Sequence, residues 1–111
     1  MVTESIEPLT QHYLEECAHL LVLAFNREPW NESWTLETAR EELRWTMSVP
    51  GYKGFVSKGE GISGFATGYC EQDGNRRVFY LRVLCVKPNL QGKGVGSRLL
   101  ARIIHESEFG R

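Results

Sequence analysis

No stretch of this 111-residue sequence approaches the roughly 18 consecutive apolar residues of a membrane-spanning helix, so no membrane partner is expected. Excess charge of one sign is missing too: 13 Lys and Arg stand against 14 Asp and Glu, a formal net charge of -1. Bulk electrostatic attachment to nucleic acid or acidic lipid needs a marked basic surplus, so no nucleic-acid partner is expected either. Arg76, Arg77 and Arg82 fall among strand residues, and a solvated sheet face accounts for them. The opening MVTESIEPL lacks the positive start and apolar stretch of a secretory signal, which points to the cytoplasm. Cysteine is scarce. Cys17, Cys70 and Cys85 are odd in number, form no CxxC pair and sit in apolar patterns, as small buried hydrophobes of a reducing compartment do. Cys85 carries no flanking base that would make it a nucleophile. His12, His19 and His105 have no second His or Cys three or four residues away, so no metal site of His/Cys spacing is expected.

What is present is periodicity suited to one domain. From Thr10 to Phe25 the apolar residues Leu14, Cys17, Ala18, Leu21, Ala24 and Phe25 recur at helical steps, with Glu15 and Glu16 facing out. A polar loop, NREPWNES, follows. Thr35 is placed to cap a second helix with Glu37 in its first turn and Leu36, Ala39, Leu43 and Met47 inward. Pro50-Gly51 ends it. Strands are expected at 52–58, 62–71 and 78–86, joined by Gly59-Glu60-Gly61 and by the hairpin signal Asp73-Gly74-Asn75. The last of them, VFYLRVLCV, is almost continuously apolar and reads as a central strand covered on both faces. A third helix over 94–105 turns Val95, Leu99, Leu100, Ile103 and Ile104 inward. The order helix, helix, three strands, helix indicates an α+β domain with an antiparallel sheet.

Between the last strand and the last helix runs QGKGVG, Gln91 to Gly96. A helix N-terminus presents unpaired N–H groups and the positive end of the helix dipole. Glycines at 92, 94 and 96 let a ligand approach the backbone, and Lys93 and Arg98 add positive charge, a setting for phosphate or pyrophosphate. Two familiar phosphate loops do not fit. Lys93 is followed by Gly94 rather than by a magnesium-holding hydroxyl, and the third glycine of a dinucleotide fingerprint would fall at Leu99.

The stretch LCVKPNLQGKGVGSRLL resembles motif A of the GNAT superfamily of acyl-CoA-dependent N-acyltransferases, a [QR]-x-x-G-x-[GA] loop after the fourth strand. Gln91, Gly94 and Gly96 occupy its defining positions, and Cys85 to Pro88 match the lead-in. FNREPWNESWTLETA looks like the branch of aminoglycoside-type and other small-amine acetyltransferases. The resemblance implies a GNAT-like fold over residues 1–111, a mostly antiparallel sheet flanked by helices, acetyl-CoA as cosubstrate, and acetyl transfer to a primary amine of a small molecule or peptide. It further implies that the backbone of Gln91, Gly92, Lys93, Gly94, Val95, Gly96 and Ser97 wraps the pyrophosphate. The strand edge at Leu84, Cys85 and Val86 would pair with the pantetheine arm, and an N–H near Cys85 or Val86 would polarise the thioester carbonyl. Trp30, Asn31, Glu32 and Trp34 are the expected acceptor pocket.

Two departures from the family pattern stand out. Relatives of this branch commonly carry an acid in the fourth strand, where YLRVLCV has Val83, so that proton acceptor does not carry over. Glu32, Glu71 or a water relay could replace it, and Glu32 is the candidate for meeting a cationic amine. The family domain also continues beyond this helix with further strands and a helix, including a tyrosine acid, none of which HESEFGR supplies. The expectation is therefore a truncated domain without its C-terminal strands, associating as a homo-oligomer, a dimer in the first instance, through the strand edge 78–86. The alternative function is that of a catalytically impaired, oligomeric CoA-binding or partner-binding module.

Overall fold

The computed structural model describes residues 4–109, with side chains through Ser107. The first letters of MVTESIEPL and the last of HESEFGR lie outside the described residues. The elements are β1 (Ser5–Pro8), α1 (Leu14–Phe25), α2 (Leu36–Ser48), β2 (Tyr52–Gly59), β3 (Gly61–Asp73), β4 (Arg76–Val86) and α3 (Val95–Phe109). Short 3-10 turns occupy Gln11–Tyr13 and Pro88–Leu90. The four strands form one sheet in the order β1-β2-β3-β4, each pair antiparallel.

The helices begin where the local chemistry allows. Thr35 accepts the Thr38 N–H at 3.0 Å while the Thr38 hydroxyl accepts the Thr35 N–H at 2.9 Å, a reciprocal cap built from two threonines. The first helix starts later than its periodicity predicts, because residues 11–13 wind as a 3-10 turn. One strand was not legible: β1 is four residues long and ends in Pro8, a residue suited to a sheet edge, where it pairs with Phe55.

Helices cover both faces of the sheet. On one face Leu14, Cys17, Ala18 and Leu21 of α1 and Ala39 and Leu43 of α2 pack on Val56, Phe65, Val83 and Cys85. On the other, Val95, Leu99 and Ile103 of α3 pack on Phe55 and Ala66. The small residues of β3 explain how α3 lies so close. A Cβ on Gly64 would meet the Cys85 carbonyl oxygen at 2.8 Å and Val95 Cγ1 at 3.1 Å. Within α3 the expected inward set is corrected at Ile104, which is 42% exposed. Val95, Leu99 and Ile103 follow one another at four-residue steps, and Ile104 lies about 100° further round the helix.

The reading of VFYLRVLCV as a central strand is also corrected. β4 is the outermost strand of the described sheet, and Tyr80 and Leu81 are 43% and 44% exposed. The apolar run arises because α1 and α3 cover opposite faces of its second half, where Val83 and Cys85 are buried and Leu84 and Val86 half-buried, while in the first half Phe79 packs on the α3 side.

Candidate functional site

β4 is interrupted where it matters. Thr67 of β3 stands opposite Val83 and Gly68 opposite Leu81, so Arg82 has no partner in β3 and forms a bulge. The extra residue shifts the alternation of the strand. Arg82 and Val83 both turn toward the helix pair: Arg82 bonds Glu42 of α2, and Val83 joins the cluster around α1. Beyond the bulge, Cys85 continues on the α1 side while Leu84 and Val86 pack toward α3.

Three cavities follow one another along this strand. The first, about 170 Å³, is lined by Leu21, Phe25, Glu32, Trp34, Arg82, Val83 and Leu84. The second, about 150 Å³, shares Phe25 and Leu84 with the first and adds Ala24, Trp30, Val86 and Gln91. The third, a wide depression of about 450 Å³, shares Val86 and Gln91 with the second and is lined besides by Gly92, Gly94, Gly96 and Ser97. Shared lining residues thus join an acid-bearing pocket to the glycine loop. Another depression, of about 330 Å³, lies on the α3 face between Cys70, Arg77, Phe79, Ile104 and Ser107, away from this track.

The glycine loop has the geometry its sequence suggests. Gly92 and Gly94 have φ of +79° and +89°, a region that L side chains rarely adopt. The Arg98 N–H donates to the Gly94 carbonyl at 3.0 Å, so the N–H groups of Val95, Gly96 and Ser97 precede that helical bond. Gln91 donates from Nε2 to the Val86 carbonyl at 3.3 Å and ties the loop to the end of β4. Arg98 reaches back over the loop and donates to the Lys93 carbonyl at 3.5 Å. Val95 points into the core and offers only its backbone, and the exposed Lys93 lies outside the lining of the depression.

Cys85 likewise offers only backbone. The residue is 1% exposed with its thiol directed at the Leu20 carbonyl, and burial pushes its pKa up to about 12, which rules out a resting thiolate.

The loop 26–35 is held by a two-bond clamp. The Asn26 side chain donates to the Trp34 carbonyl at 2.8 Å and accepts the Trp34 N–H at 2.9 Å. The Glu32 N–H donates to the Phe25 carbonyl at 2.9 Å, and the Trp34 indole N–H donates to Glu32 Oε1 at 2.6 Å. Glu32 and Trp34 therefore enter the first cavity together. Trp30, in edge contact with Phe25, enters the second. Asn31 sits at φ +51° and lines none of the three. Glu71 pairs with Val78 near the hairpin end of the sheet, remote from Val83.

One feature of the site had no signal in the sequence. Arg82 is exposed, as expected of a sheet face, but it is also tied to a side chain of α2. Its Nε and Nη2 donate to both carboxylate oxygens of Glu42 at 3.0 and 2.6 Å, and its guanidinium stacks 4.7 Å above the Trp45 ring. The hydrogen bonds to Glu42 raise its already high pKa further. Glu42 and Arg82 are 40 residues apart, and only the fold brings them together.

Comparison with known proteins gives the fold its relatives. The chain resembles a GCN5-related glucosamine N-acetyltransferase region of a fungal multi-domain β-N-acetylglucosaminidase, at 20% identity and a TM-score of 0.77, covering 99% of this chain and 13% of that one. It resembles a GNAT family acetyltransferase of Staphylococcus aureus at 14% identity and a TM-score of 0.76, covering 96% of this chain and 78% of that one. An aminoglycoside N-acetyltransferase solved with CoA matches at 17% identity and a TM-score of 0.76, over 97% of this chain and 71% of that one. No curated protein matches the sequence. Among the described residues no helix is long and apolar enough to cross a membrane, and no cluster of three or more His, Cys, Asp or Glu could hold a metal ion. The family model for GNAT acetyltransferases matches residues 14–108, from the first residue of α1 nearly to the end of α3, and the chain belongs to that family.

Proposed function

We propose that the protein is an N-acetyltransferase that moves the acetyl group of acetyl-CoA to a primary amine of a small molecule or peptide. The observation that carries this reading is the row of three joined cavities, which connects the glycine-rich helix start to a carboxylate along a strand edge that is unpaired among the described residues. In this assignment the N–H groups at 91–97 hold the pyrophosphate, where their dipoles and the helix end favour negative charge. The outer edge at Leu84 to Val86 receives the pantetheine amides as an added strand would. The amine enters the first cavity beside Glu32.

The chemistry asked of the chain is modest. As the amine nitrogen bonds the acetyl carbon, the carbon–sulfur bond breaks, the nitrogen sheds a proton and the sulfur gains one. Val83 can accept no proton. Glu32 Oε2 has no hydrogen-bond partner among the described residues and is the acceptor in reach of the cavity. Release of free thiol from acetyl-CoA across a panel of amines tests the reaction. Turnover with at least one amine, lowered tenfold or more by Glu32→Gln, is expected; CoA binding without turnover of any amine would leave the chain a CoA-binding module.

A second reading is self-association, and the outer edge of β4 favours it. That edge is unpaired in the described sheet and carries exposed Tyr80 and Leu81, the kind of surface a second copy can pair with. Such a dimer over 78–86 would use the same edge as pantetheine. Light scattering should then show a dimer that saturating CoA dissociates; a monomer at all concentrations removes this reading.

A further inference from the structure

A carboxylate on a surface loop ordinarily samples several rotamers, whereas a proton acceptor works only when held within hydrogen-bond reach of the reacting group. At Glu32 the backbone is pinned first. The Trp30 and Asn31 N–H groups both donate to the Arg27 carbonyl, at 3.0 and 2.9 Å, in a turn that ends with Asn31 at φ +51°. The Glu32 N–H then donates to the Phe25 carbonyl at 2.9 Å, which returns the chain to the end of α1.

The side chain is held in turn by Trp34, whose indole N–H donates to Glu32 Oε1 at 2.6 Å. Hydrogen bonds to a carboxylate are the short, strong kind. The indole is itself no free rotor. Its ring is half-buried and packs against the core cluster of α1, α2 and the sheet. Its backbone is clamped at both the N–H and the carbonyl by the Asn26 side chain. The next residue, Thr35, caps α2. A line of contacts thus runs from the end of α1 through Asn26 and Trp34 to one oxygen of Glu32, which leaves Oε2 as the oxygen for the amine.

We propose that Trp34 is a positioning residue for the acetyl transfer: its indole N–H holds the Glu32 carboxylate in the orientation in which Oε2 meets the amine, and Asn26 sets the indole. The inference rests on Glu32 being the proton acceptor in the acetyltransferase reading. Because Trp34 acts through Glu32, its loss is felt in turnover and not at the glycine-rich depression, whose lining it does not join.

Two measurements on the full chain test it. Nuclear magnetic resonance of an isotope-labelled sample reads the bond itself. The indole N–H signal that disappears in Trp34→Phe belongs to Trp34, and Glu32→Ala is expected to move that signal upfield by more than those of Trp30 and Trp45. Thiol release with the amine that the parent turns over best then reads the role, as a double-mutant cycle. Trp34→Phe keeps a ring for the core and removes the donor. It should lower kcat about three- to tenfold, the weight of one side chain released from a fixed rotamer, with the KM for acetyl-CoA unchanged and a melting curve showing a folded variant. In a Glu32→Gln background, read at raised enzyme concentration, the same change should alter kcat by about twofold at most, because the group it positions is gone. Equal losses in the two backgrounds, or an indole signal indifferent to Glu32, overturns the inference and leaves the acetyltransferase reading intact. No turnover of any amine, or turnover untouched by Glu32→Gln, overturns that reading and the inference with it.

Discussion

Replacing Gly94 with valine tests the anion seat at its most constrained residue. Gly94 sits at φ +89°, where a side chain costs about 1–2 kcal/mol. An added Cβ would approach Arg98 Nη1 at 2.8 Å, but that atom ends a flexible side chain and can move aside. The cost to folding is therefore of order 1–2 kcal/mol, small against the ~5–15 kcal/mol that holds an ordinary domain. Binding suffers more, because the strain is relieved by rotating the backbone of the loop itself. Two hydrogen bonds to a charged pyrophosphate, at about 1.5–3 kcal/mol each, amount to about 3–6 kcal/mol, or a loss of at least about a hundredfold in affinity. Calorimetric titration with CoA reads the loss, and a melting curve shows that the variant is folded. Lys93→Ala is the comparison: the side chain is exposed and lies outside the depression, so a few-fold, salt-sensitive effect is expected. A folded Gly94→Val that binds CoA within threefold of the parent would refute the pyrophosphate seat.

Cys85 should resist thiol reagents at pH 7–8 until the chain unfolds, since its thiol is buried and its pKa lies near 12; labelling as fast as that of a small thiol would contradict the geometry. Acid should destabilise the fold partly through Glu4, whose carboxylate accepts the Ser57 and Ser63 hydroxyls at 2.7 and 2.8 Å. Those hydrogen bonds, Ser57 first, outweigh desolvation and hold its pKa below the ordinary 4.5, so its contribution is present above about pH 4.5 and lost as pH falls through the lower folded value. The melting-temperature gap between the parent and Glu4→Gln should therefore be widest near pH 6 and close toward pH 3; a gap independent of pH would refute the assignment.

Several elements could be read from the sequence because their signals are local. The stripe of α1, the threonine cap of α2, the two hairpins and the glycine loop each depend on residues a few positions apart, where helical and strand periods leave a direct mark. β1 left no such mark, since four residues are too few to show alternation and its pairing partner lies some 50 positions on. The environment of Val78 to Val86 was misread for a related reason. An apolar run records that both faces are covered, and here helices rather than neighbouring strands cover part of it.

The candidate site divides the same way. The glycine spacing, the helix that follows it and the absence of an acid at Val83 are properties of the linear sequence, because an anion seat at a helix start is made of consecutive backbone groups. Which side chains share the first cavity is not. Asn31 stands next to Glu32 in sequence yet stays outside, while Arg82, Val83 and Leu84 arrive from another part of the chain. The bulge at Arg82 turns two successive residues to one side, and Glu42 and Trp45 then fix the guanidinium in the cavity wall. The sequence by itself determined the family, the two helices before the hairpins and the glycine-rich helix start. Only the tertiary structure decided which side chains line the first cavity, because that surface is assembled across 40 or more residues by strand register and helix packing, which no local period records.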